Sequence, residues 1–401
     1  KHVIKIDDQQ HTGIHRFQDL LSSPGEQELQ QLQQISSELQ FDETINIQFT
    51  SGTTGNPKGT MLTHNNILNN GYFVGEAIHL GPEDRVCISV PLFHCFGMVM
   101  GNLACITHGS AMIYPSAVFN PLETLKAIQQ EKCTAAYGVP TMFIAILEHE
   151  QFDEFDLSSL RTGIMAGSPC PQEIMQRVIE RMHMSEITIC YGMTETAPVS
   201  AQSSTEDSVE QRVSTVGRVH PHLEVKIVDE SGKVVPRGQL GELCVRGYSV
   251  MLGYWEDQDK TQEVIDTARW MHTGDIAEMD DEGFVKIKGR IKDVVIRGGE
   301  NLFPKEIEDF LYTHPAVSDV QVIGVPDHKY GEELCACIIL HENDPCTEDV
   351  IREYCAEHIS HNKVPRYVRF FHEFPMTASG KAQKFKLREF MREELNLKEI
   401  A

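Results

Sequence analysis

The chain lacks the two glycine signatures most often met in nucleotide-binding proteins. No two glycines stand two apart, which excludes the dinucleotide fingerprint. Gly232-Lys233 and Gly380-Lys381 lack the upstream glycine of a P-loop. Positive charge is scarce too: 35 Lys and Arg against 59 Asp and Glu give a formal charge of -24. That balance repels nucleic acid and anionic membranes, so neither is an expected partner. No uninterrupted apolar run nears the roughly 18 to 20 residues of a membrane span, and stable membrane insertion is not expected. The opening KHVIKIDDQQ has no initiator Met and no signal or transit pattern, and reads as a cut end. The 11 cysteines are odd in number and fit a reducing compartment better than a disulfide framework.

The same residues offer little conventional metal or nucleophile chemistry. His94 and Cys95 are neighbours; in an extended segment they face opposite ways, which argues against a dyad. Cys335 and Cys337 share one face of an expected strand, with no second pair to complete a zinc site. His358 and His361 stand three apart on an expected helix and read as solvated or capping groups.

What is present is an alternation of short apolar strands and amphipathic helices. Residues 86–90, 135–138, 162–166 and 187–191 read as buried strands, and 121–132 and 172–182 have helical apolar spacing. One further helix is expected at 26–39. This pattern predicts an α/β sheet, with ligands at the carboxyl ends of its strands. From 213 to 290 the period becomes two, predicting a small antiparallel or barrel-like subdomain. After Lys292 the chain reads as α+β: helices at 304–313 and 348–358, strands at 318–325 and 333–340, and a charged terminal helix. About 110 residues suffice there for a core. The expected division is therefore 1–291 and 292–401.

Ten residues stand out: Thr50, Ser51, Gly52, Thr53, Thr54, Gly55, Asn56, Pro57, Lys58 and Gly59. They follow the apolar run 45–49 and precede a helix-like run at 61–70, a setting in which a disordered linker is unusual. Small and hydroxyl residues let backbone N–H groups and hydroxyls converge, and Lys58 adds a cation; polyphosphate is the ligand that suits them. Tyr191 and Gly192 end a buried strand, with Met193, Thr194 and Glu195 next. An aromatic there suits stacking, Thr194 a phosphate and Glu195 a Mg²⁺ ion. Gly167 and Ser168 end the preceding strand, where glycine admits a flat base. Asp275, after a tight bend, suits a ribose diol. Arg290 sits at the expected junction and suits ribose or phosphate.

Taken in order, TSGTTGNPKG, YGMTET, GELCVRG, WMHTGD, GRIKD and PMTASGK resemble the adenylate-forming superfamily. Within it the chain looks most like the medium-chain acyl-CoA synthetases. The resemblance implies a large AMP-binding domain with a barrel-like subdomain, then a mobile C-terminal domain. It implies activation of a fatty acid with ATP and Mg²⁺, then thioester formation with coenzyme A, in the mitochondrial matrix. Residues 50–59 would hold the β- and γ-phosphates, and Tyr191 and Gly167 would flank adenine. Thr194 would touch the α-phosphate, Glu195 would bind Mg²⁺, and Asp275 would grip the ribose beside Arg290. Lys292 matches the hinge and Lys381 the lysine that bridges carboxylate and α-phosphate. His94 matches the gate of the acyl pocket, lined further by Val139, Pro140 and Met193. Family members also carry a longer portion ahead of the phosphate loop than the 49 residues here. A non-catalytic nucleotide or acyl-chain binder is the alternative from another class.

Overall fold

The structure is a computed structural model describing residues 3–6, 9, 11–21, 24–50, 57–168, 170–341, 344–377 and 382–397. The chain forms two compact units, Lys1–Glu43 and Thr44–Ala401. The first holds a parallel pair of two-residue strands, Ile4–Lys5 and His15–Arg16, and the expected helix, Glu26–Glu38, none of whose residues is buried.

The second unit is built on a seven-stranded sheet. Five strands run parallel, in the order Glu186–Gly192, Thr162–Met165, Ala135–Gly138, Arg85–Ile88, Ala111–Ile113. Val199–Gln202 and Arg218–Val219 extend it antiparallel beyond Glu186–Gly192. Both faces are covered, which is why these strands read as continuous apolar runs. On one side Ala136, Met165 and Ile187 meet Leu125, Phe143 and Val178 of the helices Pro121–Glu131, Pro140–Leu147 and Gln172–Arg181. On the other, Val86, Tyr137 and Ile164 meet Val74 of the helix His64–Ala77, Ile78 that caps its end, and Phe96 and Met100 of the π-helical segment Phe96–Leu103.

Two expectations are corrected here. Residues 61–70 are not one helix: Lys58–Thr63 is a strand, paired antiparallel with Thr44–Thr50, and the helix begins at His64. The Thr63 hydroxyl accepts the Asn66 N–H at 3.0 Å while the Asn66 side chain accepts the Thr63 N–H at 2.7 Å. That reciprocal cap fixes the start one residue past the strand. His94-Cys95 is not extended either; Cys95 is helical (φ -51°, ψ -32°) and its buried thiol donates to Gln48 Oε1 at 2.7 Å.

The region of two-residue alternation forms a four-stranded antiparallel sheet of Leu223–Val228, Gly241–Gly247, Met271–Met279 and Val285–Arg290. Beyond it, Val317–Asp327 and Gly331–Leu340 pair as a long hairpin. The helices Pro304–Leu311 and Glu348–His358 cover one face of that hairpin. The terminal helix Lys384–Glu394 covers the other, burying Cys335 and Cys337 together as their spacing predicts. Lys384 Nζ meets Glu308 Oε1 at 2.5 Å, and Arg388 meets Asp293 at 2.6 Å.

Candidate functional site

The carboxyl ends of the parallel strands open into a cavity of about 1990 Å³. Two residues past the strand Thr162–Met165 comes Gly167, whose φ of +96° is available to glycine at no steric cost. A Cβ there would also come within 3.0 Å of Val139. Gly192 is tighter, since a Cβ would lie 1.7 Å from the Pro198 carbonyl oxygen. Both glycines therefore leave bare backbone on the cavity wall, which Ser168 also lines.

Tyr191, at the end of Glu186–Gly192, reaches the strand Met271–Met279 and donates its hydroxyl proton to Asp275 Oδ2 at 2.5 Å. Arg290 Nε lies 3.2 Å from the other carboxylate oxygen. The two are register partners, Asp275 opposite Arg290, so sheet pairing alone brings them together. Burial pushes the Tyr191 phenol well above its usual range, and the Asp275 charge adds to it, so Tyr191 stays a donor. Tyr191→Phe removes one charge-assisted hydrogen bond. For the ATP-dependent carboxylate activation that the sequence motifs imply, a rise of roughly tenfold in the KM for ATP is the expected outcome, measured in steady state with the carboxylate saturating.

Thr194 and Glu195 occupy a 3₁₀ turn on the same wall. The Glu195 carboxylate is buried and accepts the Tyr254 hydroxyl proton at 2.8 Å. Lys58 Nζ sits 4.7 Å from the centre of that tyrosine ring. Carboxylate and hydroxyl oxygens are the hard donors that Mg²⁺ requires, so this wall fits that ion. Tyr254 was not legible beforehand, because its place depends on pairing between Gly253–Tyr254 and Lys58–Thr63.

Thr50, Lys58, His94, Met193 and Lys292 also line the cavity. His94 Nδ1 accepts the Phe96 N–H at 3.1 Å, holding the ring near Phe93, Phe96 and Met100, an apolar stretch of wall. Burial, and then the charge of Arg290, lowers the affinity of Lys292 for its proton. Val139 and Pro140 are buried and stand behind the lining, Val139 directly against Gly167. Pro57 is exposed, and Gly59 is buried in its strand, accepting the Trp255 N–H at 2.7 Å. Ser51, Gly52, Thr53, Thr54, Gly55, Asn56 and Lys381 lie outside the described residues.

The profile of the AMP-binding enzyme family matches residues 2–255, and that of the AMP-binding enzyme C-terminal domain matches 306–381. The chain belongs to the AMP-binding enzyme family. A putative acyl-CoA synthetase, YngI, of Bacillus subtilis is 55% identical over 92% of this chain and 67% of its own length. The mitochondrial medium-chain acyl-CoA ligase ACSF2 of Danio rerio is 48% identical over 99% of this chain and 66% of that protein. For its human counterpart the figures are 47%, 92% and 61%. The chain thus spans about two thirds of the curated relatives it matches. Among solved structures, ATP-bound MatB from Rhodopseudomonas palustris superposes with a TM-score of 0.81 at 28% identity, covering 89% of this chain and 70% of that one. The anthranilate CoA ligase AuaEII in complex with anthranoyl-AMP gives 0.81 at 30%, covering 88% and 68%. The fold is the adenylate-forming fold of this family, a large N-terminal domain followed by a small C-terminal one. Among the described residues no helix is long and apolar enough to cross a membrane.

Proposed function

We propose that the protein is an AMP-forming acyl-CoA synthetase that activates a fatty acid, of medium chain length, and passes it to coenzyme A. The observation that carries this reading is the convergence of Lys58, Tyr191, Thr194, Glu195, Asp275 and Arg290 on one cavity. Relatives named medium-chain acyl-CoA ligases support the acyl specificity. Their mitochondrial label supports a matrix location, which the chemistry does not require.

In this reading Asp275 and Arg290 hold the ribose, Tyr191 and Gly167 flank adenine, and residues 50–59 hold the β- and γ-phosphates. The fatty carboxylate attacks the α-phosphorus in line, its new P–O bond replacing the bond to the departing pyrophosphate. Lys381 and Thr194 offset the charge where the two anions meet. Glu195 would hold Mg²⁺, which supplies further charge neutralisation at the phosphates. Residues 292–401 then turn about Lys292, taking Lys381 away, and the thiolate of coenzyme A attacks the acyl carbonyl as AMP leaves. His94 and Met193 border the acyl chain, with Val139 and Pro140 supporting that wall from behind.

The test is exchange of labelled pyrophosphate into ATP across a series of fatty acids, with AMP release measured with and without coenzyme A. Carboxylate-dependent exchange, strongest for medium chains, is expected. Release of ADP instead of AMP would sink the proposal.

A further inference from the structure

The four-stranded sheet carries a cluster of donor atoms that the adenylation chemistry does not use. Glu242 and Cys244 stand two apart on Gly241–Gly247, hence on one face, and His272 on Met271–Met279 is the register partner of Cys244. One donor atom from each of the three lies within 4.8 Å of the others. Cys244 Sγ is 3.5 Å from His272 Nδ1, and that nitrogen is 2.8 Å from Glu242 Oε2. A tetrahedral zinc ion with Zn–S about 2.3 Å and Zn–N about 2.0 Å holds its sulfur and nitrogen ligands about 3.5 Å apart. The thiol and imidazole are already at that separation. The carboxylate oxygen draws back from Nδ1 by about half an ångström and settles about 3.5 Å from the sulfur, from which a carboxylate oxygen is now no more than 4.8 Å away.

We propose that Glu242, Cys244 and His272 form a binding site for one thiophilic divalent ion of the zinc or cadmium type, with water as fourth ligand. A sulfur, nitrogen and oxygen set selects such ions over Mg²⁺. On binding, the thiol proton leaves to solvent and the imidazole proton moves from Nδ1 to Nε2. Thiolate and carboxylate then balance the two positive charges, so the half-buried site is neutral. Glu242 Oε1 keeps the Gly274 N–H, now 3.1 Å away, and the ion ties that bend to the neighbouring strand. Nearby cations do not compete: Lys226, opposite Cys244, lies 4.5 Å from the Trp270 ring, and Arg246 packs on the same ring while pairing with Glu224. Without metal, burial and then the Glu242 charge push the Cys244 thiol up to about 12, so it is not a free thiolate. His272 is about one-third exposed and lines the cavity, which gives an ion a way in.

The experiment titrates Co²⁺ into the full chain after stripping with a chelator. One equivalent should give a thiolate-to-cobalt charge-transfer band that Zn²⁺ abolishes. Cys244→Ser should lose the band, and Glu242→Gln should keep it but bind more weakly. The loss should be at least the roughly tenfold that removing an outer-shell partner costs. Circular dichroism checks that each variant is folded. A wild-type chain without the band, or a band unchanged in Cys244→Ser, overturns the assignment. Should Cys244→Ser not fold, Glu242→Gln decides it, and unchanged affinity there has the same meaning.

Discussion

Replacing Lys381 by alanine is expected to slow acyl-adenylate formation roughly 100- to 1000-fold, the usual cost of one preorganised electrostatic donor. Conversion of supplied acyl-AMP to the thioester should be nearly unaffected. The asymmetry follows from charge. In the first step a carboxylate approaches a polyphosphate, and a cation between them is worth most as the two anions close. In the second, on the mechanism proposed above, a thiolate attacks a carbonyl carbon after rotation about Lys292 has carried the lysine off. Pyrophosphate exchange and thioester release, assayed separately on the same variant, measure the two steps. Equal loss of both would remove the step-specific role.

His220 should dominate a different experiment. It is buried, its Nε2 bonded to Gln202 Oε1 at 3.0 Å while Nδ1 has no partner among the described residues. Burial pushes it down from its ordinary value of 6.5 to about 4. The folded state therefore refuses a proton that the unfolded chain takes up. Stability from this group is complete above about pH 6.5, declines as the pH falls toward about 4, and is level below that. The loss across the window is about 3.5 kcal/mol at roughly 1.4 kcal/mol per tenfold change in proton affinity. Denaturant unfolding at pH 7 and pH 4.5 should show a smaller difference in His220→Asn than in wild type. An unchanged difference would mean that this imidazole does not titrate as its burial requires.

Much of the architecture was legible because burial leaves a plain pattern. Strand Ala135–Gly138 and helix Glu348–His358 fall where the sequence predicts them. Each is bounded by local signals: Val139-Pro140 after the strand, and before the helix Thr347, whose side chain accepts the Val350 N–H at 3.4 Å. The run 61–70 misled because the last three residues of the strand Lys58–Thr63 pass directly into the helix at His64, and an apolar count averages the two. Asp275 and Arg290 were picked out singly from their motifs, whereas their ion pair is a matter of strand register. The same limit hid Tyr254, which reaches Glu195 from 59 positions away, and the pairing of Cys244 with His272. Chemistry that depends on which residues face each other across strands is not written in one-dimensional spacing.

Among the residues lining the cavity, eight Lys and Arg face seven Asp and Glu, a nearly balanced wall on a chain whose formal charge is -24. At low salt an approaching nucleotide meets the net repulsive field of the whole chain, which a screening length of about 8 Å at physiological salt largely removes. Inside the cavity it meets paired charges instead, Arg290 beside Asp275 and Arg388 beside Asp293, at close range where mobile ions intervene least. Raising ionic strength therefore lowers the outer barrier before it weakens the inner grip. Capture of ATP should in consequence hold up in brine that would cripple a protein drawing in its ligand from afar.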